Sequence, residues 1–159
     1  MSALALAIYA ALAGACLSIV VVAALGTVRL RRLRRLEEGA ALVSQASLQI
    51  VPRARRRRGF VRATEDALEW HPARFGGIVP RFGAAFRVER KALAVRGVRR
   101  AAWRWEVPEF AAPWADPHVL TLVADGSRIE LVLPWKHVSD RLAAWLARSV
   151  TMSETVRGA

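Results

Sequence analysis

Apolar and polar positions divide the chain into four stretches. Residues 3–28 hold no charged side chain and are mostly Ala, Leu, Val and Ile. A helix needs about 20 apolar residues to cross a hydrocarbon core. This run of 26 therefore predicts a transmembrane helix with length left for tilt. Leu30, Leu33 and Leu36 recur at i+3, so the helix is expected to continue past the bilayer surface. Gly39 weakens it and Pro52 ends it.

From Gly59 the pattern shortens to strands. Residues 59–64 and 67–71 read as a pair around a Glu65-Asp66 turn. Residues 85–90 and 93–98 read as two further strands, after a loop marked by Gly76, Gly77 and Pro80. In 103–107, Trp103 and Trp105 alternate with Arg104 and Glu106, a fifth candidate strand. Pro108, Pro113 and Pro117 punctuate a loop over 108–117. Asp125-Gly126, between the β-rich runs 118–124 and 127–133, is a strong hairpin signal. The last stretch predicts an amphipathic helix over 135–150, with Pro134 in its first turn. Trp135, Val138, Leu142, Trp145, Leu146 and Ser149 share one face, while Lys136, Asp140, Arg141 and Ala144 look elsewhere. That apolar face is expected to pack on the sheet. Residues 151–159 read as a flexible tail.

The length of 159 residues allows one modest domain and an appendage. Formal net charge is +12, from 25 basic and 13 acidic residues. Of the basic residues 23 are Arg, Ala occurs 30 times and Asn never, a pattern of GC-rich codons. The preference for Arg over Lys is thus no evidence for phosphate-binding forks. The placement of the charge is informative. Residues 29–58 hold ten Arg and two Glu, a net +8, and residues 59–159 hold only +4. No Lys or Arg precedes the apolar run, so the positive-inside rule puts the N-terminus outside and the rest in the cytoplasm. A cleaved signal peptide would need a basic n-region and a shorter apolar core. Leu12-Ala13-Gly14-Ala15-Cys16 resembles a lipobox only loosely, and Cys16 reads as a small apolar residue within the span. Ala10, Gly14 and Ser18 form a small-residue face, one route to a homo-oligomer.

The basic residues fall in two clusters. Arg29, Arg31, Arg32, Arg34 and Arg35 abut the span and need only a topological reason. Arg53, Arg55, Arg56, Arg57 and Arg58 lie some twenty residues further on, more than topology requires. Both clusters, with Arg62, are candidate contacts for anionic lipid headgroups. Phe110 and Trp114, in the Pro-rich loop, either fold back to cap the strands or form an exposed contact for a partner or the bilayer interface.

Signs of catalysis are missing. His71, His118 and His137 are not spaced from one another, or from Cys16, as metal ligands usually are. One cysteine excludes an intramolecular disulfide and a multi-Cys metal cluster. No nucleophile elbow, phosphate loop or dinucleotide fingerprint occurs. Glu37-Glu38 and Glu65-Asp66 read as a helix charge and a turn. No catalytic residue, cofactor or metal is expected. Nucleic acid is not expected as a partner either, because most of the excess charge sits beside the span and no recognition motif accompanies it.

Several features together resemble a known group. They are the span, the Arg-rich approach to Gly59-Phe60-Val61-Arg62, and Phe86-Arg87-Val88-Glu89-Arg90 leading into Leu93-Ala94-Val95-Arg96-Gly97. The Asp-Gly hairpin and the helix with Leu142, Trp145 and Leu146 complete the set. The chain resembles, over nearly all its length, the small single-pass bacterial membrane proteins of unknown function that carry a cytoplasmic PH-like domain. The resemblance implies a transmembrane helix plus a mainly-β PH-like barrel of six or seven short strands, closed by a C-terminal amphipathic helix. In that layout residues 1–28 span, 29–58 form an Arg-rich and partly helical juxtamembrane linker, and 59–150 form the PH-like domain. No activity comes with the resemblance. The expected role is a membrane-anchored, non-catalytic binding or scaffolding protein. The alternatives are a regulator sensing anionic lipid through the second cluster, or an accessory subunit of a membrane protein complex.

Overall fold

The computed structural model describes residues 3–51, 55–74, 78–102 and 115–155, with only the backbone path for 149–155. Helix α1 runs unbroken over Ala3–Glu37. Its first 26 residues bury nothing, and it is long and apolar enough to cross a membrane. Gly39, at φ 68°, supplies the left-handed residue that stops the helix and turns the chain into the sheet.

Eight strands follow among the described residues: β1 Leu42–Val51, β2 Arg57–Ala63, β3 Ala67–Arg74, β4 Val79–Pro80, β5 Phe86–Glu89, β6 Leu93–Arg100, β7 His118–Ala124 and β8 Ser127–Leu133. A 3-10 turn, Arg90–Ala92, joins β5 to β6, and helix α2 covers Lys136–Thr155. All pairings are antiparallel, and the order across the sheet is β4-β3-β2-β1-β8-β7-β6. β5 pairs with β3 along the edge that β4 also uses.

The ten-residue strand β1 holds the sheet together. Its first part pairs with β2, from Leu42 opposite Ala63 to Leu48 opposite Arg57. Its last part pairs with β8, from Ser47 opposite Val132 to Val51 opposite Arg128. One strand thus serves two sheet halves, the device by which a folded-over sheet turns its corner. This corrects the linker expected over 29–58, because β1 lies wholly inside it and β2 begins before Gly59. The physical reason is visible in the residues: Ala46 and Leu48 enter the core on a period of two and Ile50 packs against it.

β7 and β8 form the expected hairpin, closed between Ala124 and Ser127. Asp125 and Gly126 take φ 47° and 75°, the left-handed pair that a two-residue turn needs. The core lies between the inner sheet face and α2, where Leu120, Leu131 and Leu133 meet Leu142, Trp145 and Leu146. The α2 face expected to be polar is exposed at Lys136, Asp140, Arg141 and Ala144. Pro134 lies outside the helix rather than in its first turn. Trp135 precedes the first helical residue, and its carbonyl accepts from the amides of Val138 and Ser139. The helix also extends beyond the expected end at residue 150. The candidate strand over 103–107, Gly76 and Gly77, and the last four residues lie outside the described residues.

Candidate membrane-proximal interface

Alternation along β2 and β3 sends Val61, Ala63, Leu68 and Trp70 into the core and their neighbours to the other face. On a sheet with one solvated face those neighbours would be exposed. Here Phe60, Glu69 and His71 are buried too. The Arg-rich end of α1 crosses this face. Arg62 Nε donates to the Leu36 carbonyl at 2.7 Å, and its NH2 donates to the Glu38 carbonyl at 2.7 Å. One turn back along α1, Arg32 donates to the Pro80 carbonyl at 2.9 Å. The third arm of the Arg62 fork reaches Glu69 Oε2 at 2.8 Å. Arg87 stands 3.5 Å from the other carboxylate oxygen. His71 Nε2 is 3.5 Å from Oε2, within ion-pair range but without a hydrogen bond.

Burial pushes the Glu69 carboxyl up, but the Arg62 hydrogen bond and charge, the His71 ring and the Arg87 charge outweigh it. The net effect holds Glu69 below the usual carboxylate range. A carboxyl depressed in the folded state adds stability above its unfolded pKa and loses it as pH falls through the folded one. The melting temperature should therefore hold down to about pH 4.3, the ordinary Glu value, and fall below it. Glu69→Gln should flatten that acid limb, as measured by thermal melts of the full chain in detergent across pH.

The candidate residues divide by environment. Arg31, Arg34 and Arg35 are exposed, and Arg29 is half-buried. Arg32 stacks on the Phe82 ring at 4.2 Å, with Arg35 at 5.8 Å from the same ring. Arg55 and Arg57 are exposed and Arg58 half-buried. Arg56 bonds Gln49 at 3.3 Å and lies 4.0 Å from Glu130. Arg62 is the correction: its guanidinium turns into the protein, where the helix end and Glu69 occupy it, rather than toward a headgroup. Arg53, Phe110 and Trp114 lie outside the described residues.

The register brings the remaining pieces together. Arg57 starts β2 and Arg74 ends β3 at the same end of the sheet, since Gly59 faces Pro72. The β1–β2 and β3–β4 connections therefore share that end. From Leu36 back to Arg32, α1 moves from the level of Arg62 to that of Pro80, toward the same end. The apolar part of α1 thus leaves the domain on the side where Arg55 and Arg57 project. Sequence reasoning missed three residues here. Ile78 and Phe82 are 45% and 65% exposed, and Arg81 is exposed between them. The available signal was Arg81-Phe82 between Pro80 and Gly83, an aromatic in a loop bounded by turn residues.

No known family's profile matches the sequence, and no curated protein matches it. Among solved structures, the chain is similar to autoinhibited Vav1, with a TM-score of 0.50 at 12% identity over 77% of its length. Vav1 bound to an allosteric inhibitor gives the same values. The chain spans 22% of either Vav1 chain. At this identity the likeness is one of fold. An apolar N-terminal helix, an open antiparallel sheet and a closing C-terminal helix give this chain a PH-like fold.

Proposed function

We propose that this is a membrane-anchored, non-catalytic binding protein, in which α1 crosses the bilayer and a PH-like module stands against the cytoplasmic face. One observation carries the reading. The apolar helix continues without a break into a segment that Arg62 and Arg32 bond to the sheet. A span so joined holds its domain at a set height and orientation, whereas a flexible tether would only keep it nearby. PH-like modules bind lipids or proteins, and fold alone does not choose between them. The bacterial single-pass proteins that the sequence resembles have the same layout.

Topology is testable with thiol labelling, because Cys16 is the only cysteine. In a Cys16→Ser background, Ser2→Cys should react with an impermeant maleimide on intact cells. Asp125→Cys should react only after permeabilisation. Extraction of the protein by alkaline carbonate, or labelling of Asp125→Cys from outside, rules the reading out.

The exposed Arg55, Arg57, Arg81, Ile78 and Phe82 favour a second reading, contact with anionic lipid. Each basic side chain close to such a surface adds about 1 kcal/mol. Backbone amides of 78–83 should exchange more slowly in anionic than in zwitterionic nanodiscs. Arg55→Ser with Arg57→Ser should remove most of that difference; equal exchange in the two lipids would leave the anchor without a lipid-sensing role.

A further inference from the structure

At one end the apolar core opens to solvent. Leu48 and Ile50 of β1, Trp70 of β3 and Phe86 of β5 wall a pocket of about 210 Å³, with Ala85 at its rim. The register gathers these walls, since Leu48 stands opposite Arg57 and Trp70 opposite Phe86. Leu48 and Trp70 are buried, whereas Ile50 and Phe86 are only half-buried. Arg55 and Arg57 line the same pocket from exposed positions. No acidic residue lines it, and among the described residues neither arginine has an ion pair or a hydrogen bond. The Trp70 indole N–H is likewise buried without a hydrogen-bond partner. The mouth thus pairs an apolar interior with two unopposed cations, on the side from which the apolar part of α1 leaves the domain.

Two physical terms define the occupant. A phosphate or sugar pressed between these walls would lose its water without gaining hydrogen bonds. The guanidinium forks at the mouth bind a carboxylate or a phosphate. An alkyl chain with an anionic end meets both conditions. Size narrows the class, because a drug-sized ligand needs about 300–1,000 Å³, and this pocket admits the end of one chain. A diacyl lipid gains nothing by moving a chain out of the bilayer, where hydrocarbon is as apolar as the pocket. A single-chain anion in water does gain, by about fourfold in affinity for each methylene buried. We propose that the open end of the core binds a single-chain anionic lipid of the fatty-acid class. Its carboxylate lies on Arg55 and Arg57, and its chain end lies against Ile50, Trp70 and Phe86. This goes beyond contact with the bilayer surface: the arginines are shared, but the ligand is a separate molecule held inside the fold.

The test titrates the full chain, in nanodiscs of zwitterionic lipid, with hexanoate, octanoate and decanoate, and with octylamine as control. The carboxylates should shift the NMR signals of the Trp70 indole N–H and of amides 48–50. Affinity should rise about fourfold per methylene until the pocket is full, and then level off. Octylamine, a cation facing two arginines, should bind about tenfold more weakly than octanoate, or worse. Arg55→Ser with Arg57→Ser should weaken octanoate binding about tenfold. Ala85→Trp, which fills the pocket from an exposed rim position, should weaken it at least as much at unchanged melting temperature. Three results overturn the proposal. One is a Trp70 signal that no carboxylate moves. Another is equal binding of octylamine and octanoate. The third is binding that Ala85→Trp leaves intact, or that climbs with chain length without levelling, which would put the chain in the bilayer. Ala85→Trp keeps both arginines, so slower exchange over 78–83 in anionic nanodiscs should persist in it. The pocket and the lipid-contact reading can therefore fail separately.

Discussion

Arg62→Ala should destabilise the domain by about 3 kcal/mol, the usual cost of stripping one partner from a buried ion pair. Two losses add. Among the described residues, Glu69, whose side chain is 9% exposed, would keep Arg87 at 3.5 Å as its counter-charge, with the poorly aligned His71 ring beside it. The carbonyls of Leu36 and Glu38, at the end of α1, would lose their donor. Arg62→Lys keeps the charge but offers no three-armed fork, so it should recover only part of the loss. In a domain of this size, 3 kcal/mol lowers the melting temperature by roughly 15 °C. Because Arg62 and Glu69 touch, Arg62→Ala should cost less in a Glu69→Gln background. Strict additivity would mean that Arg62 acts on the helix end alone. Hydrogen exchange should also quicken over 36–41 in Arg62→Ala, since the same side chain docks α1.

This role for Arg62 shows where reading the chain runs out. As one of many arginines that follow the apolar helix, it looks like every other basic residue in the region. Its partners are Leu36, Glu38 and Glu69, and only β1, folded between them in sequence, brings these together. Features that depend on local periodicity were legible: the charge-free run of α1, the Asp125-Gly126 turn and the Trp145–Leu146 face of α2. β1 was legible in principle, since Ser47 and Gln49 alternate with Ala46, Leu48 and Ile50. The Arg clusters on either side drew it into a linker. Phe82 illustrates a third case. Its exposure and its Arg32 partner follow from where α1 crosses the sheet, which no window of neighbouring residues encodes.

The placement of Glu69 and Arg62 also explains how a charged residue tolerates a buried sheet face. An unpaired carboxylate there would be neutralised or expelled. With Arg62 beside it, the pair forms a polar joint between the sheet and the helix. An apolar joint of that kind would tolerate sliding, while a three-armed fork with fixed acceptors does not. The orientation of the module relative to α1 therefore rests on the Arg62 fork together with the Arg32 bond to Pro80 one turn back.

Gly59→Ala should be nearly as damaging as Arg62→Ala, for a steric reason. Gly59 sits on β2 between Ala46 of β1 and Pro72 of β3, on the core-facing side of the strand. Trp70, opposite Val61, lays its indole across the space that a side chain at 59 would fill. A Cβ there would meet the His71 carbonyl oxygen at 2.4 Å and the Trp70 ring at 2.6 Å. Neither can yield cheaply. The carbonyl belongs to the β3 backbone, and Trp70 is 3% exposed within the core. Overpacking of this kind costs about 3 kcal/mol. Gly97 is the matched control, because a Cβ at that position on β6 meets nothing within 4 Å. Gly97→Ala should shift stability by less than about 0.5 kcal/mol. Thermal melts of the two variants in the same detergent decide the matter. A large loss for Gly59→Ala with none for Gly97→Ala locates the constraint in the Trp70 contact, whereas equal small losses would mean that β3 and its tryptophan move aside freely.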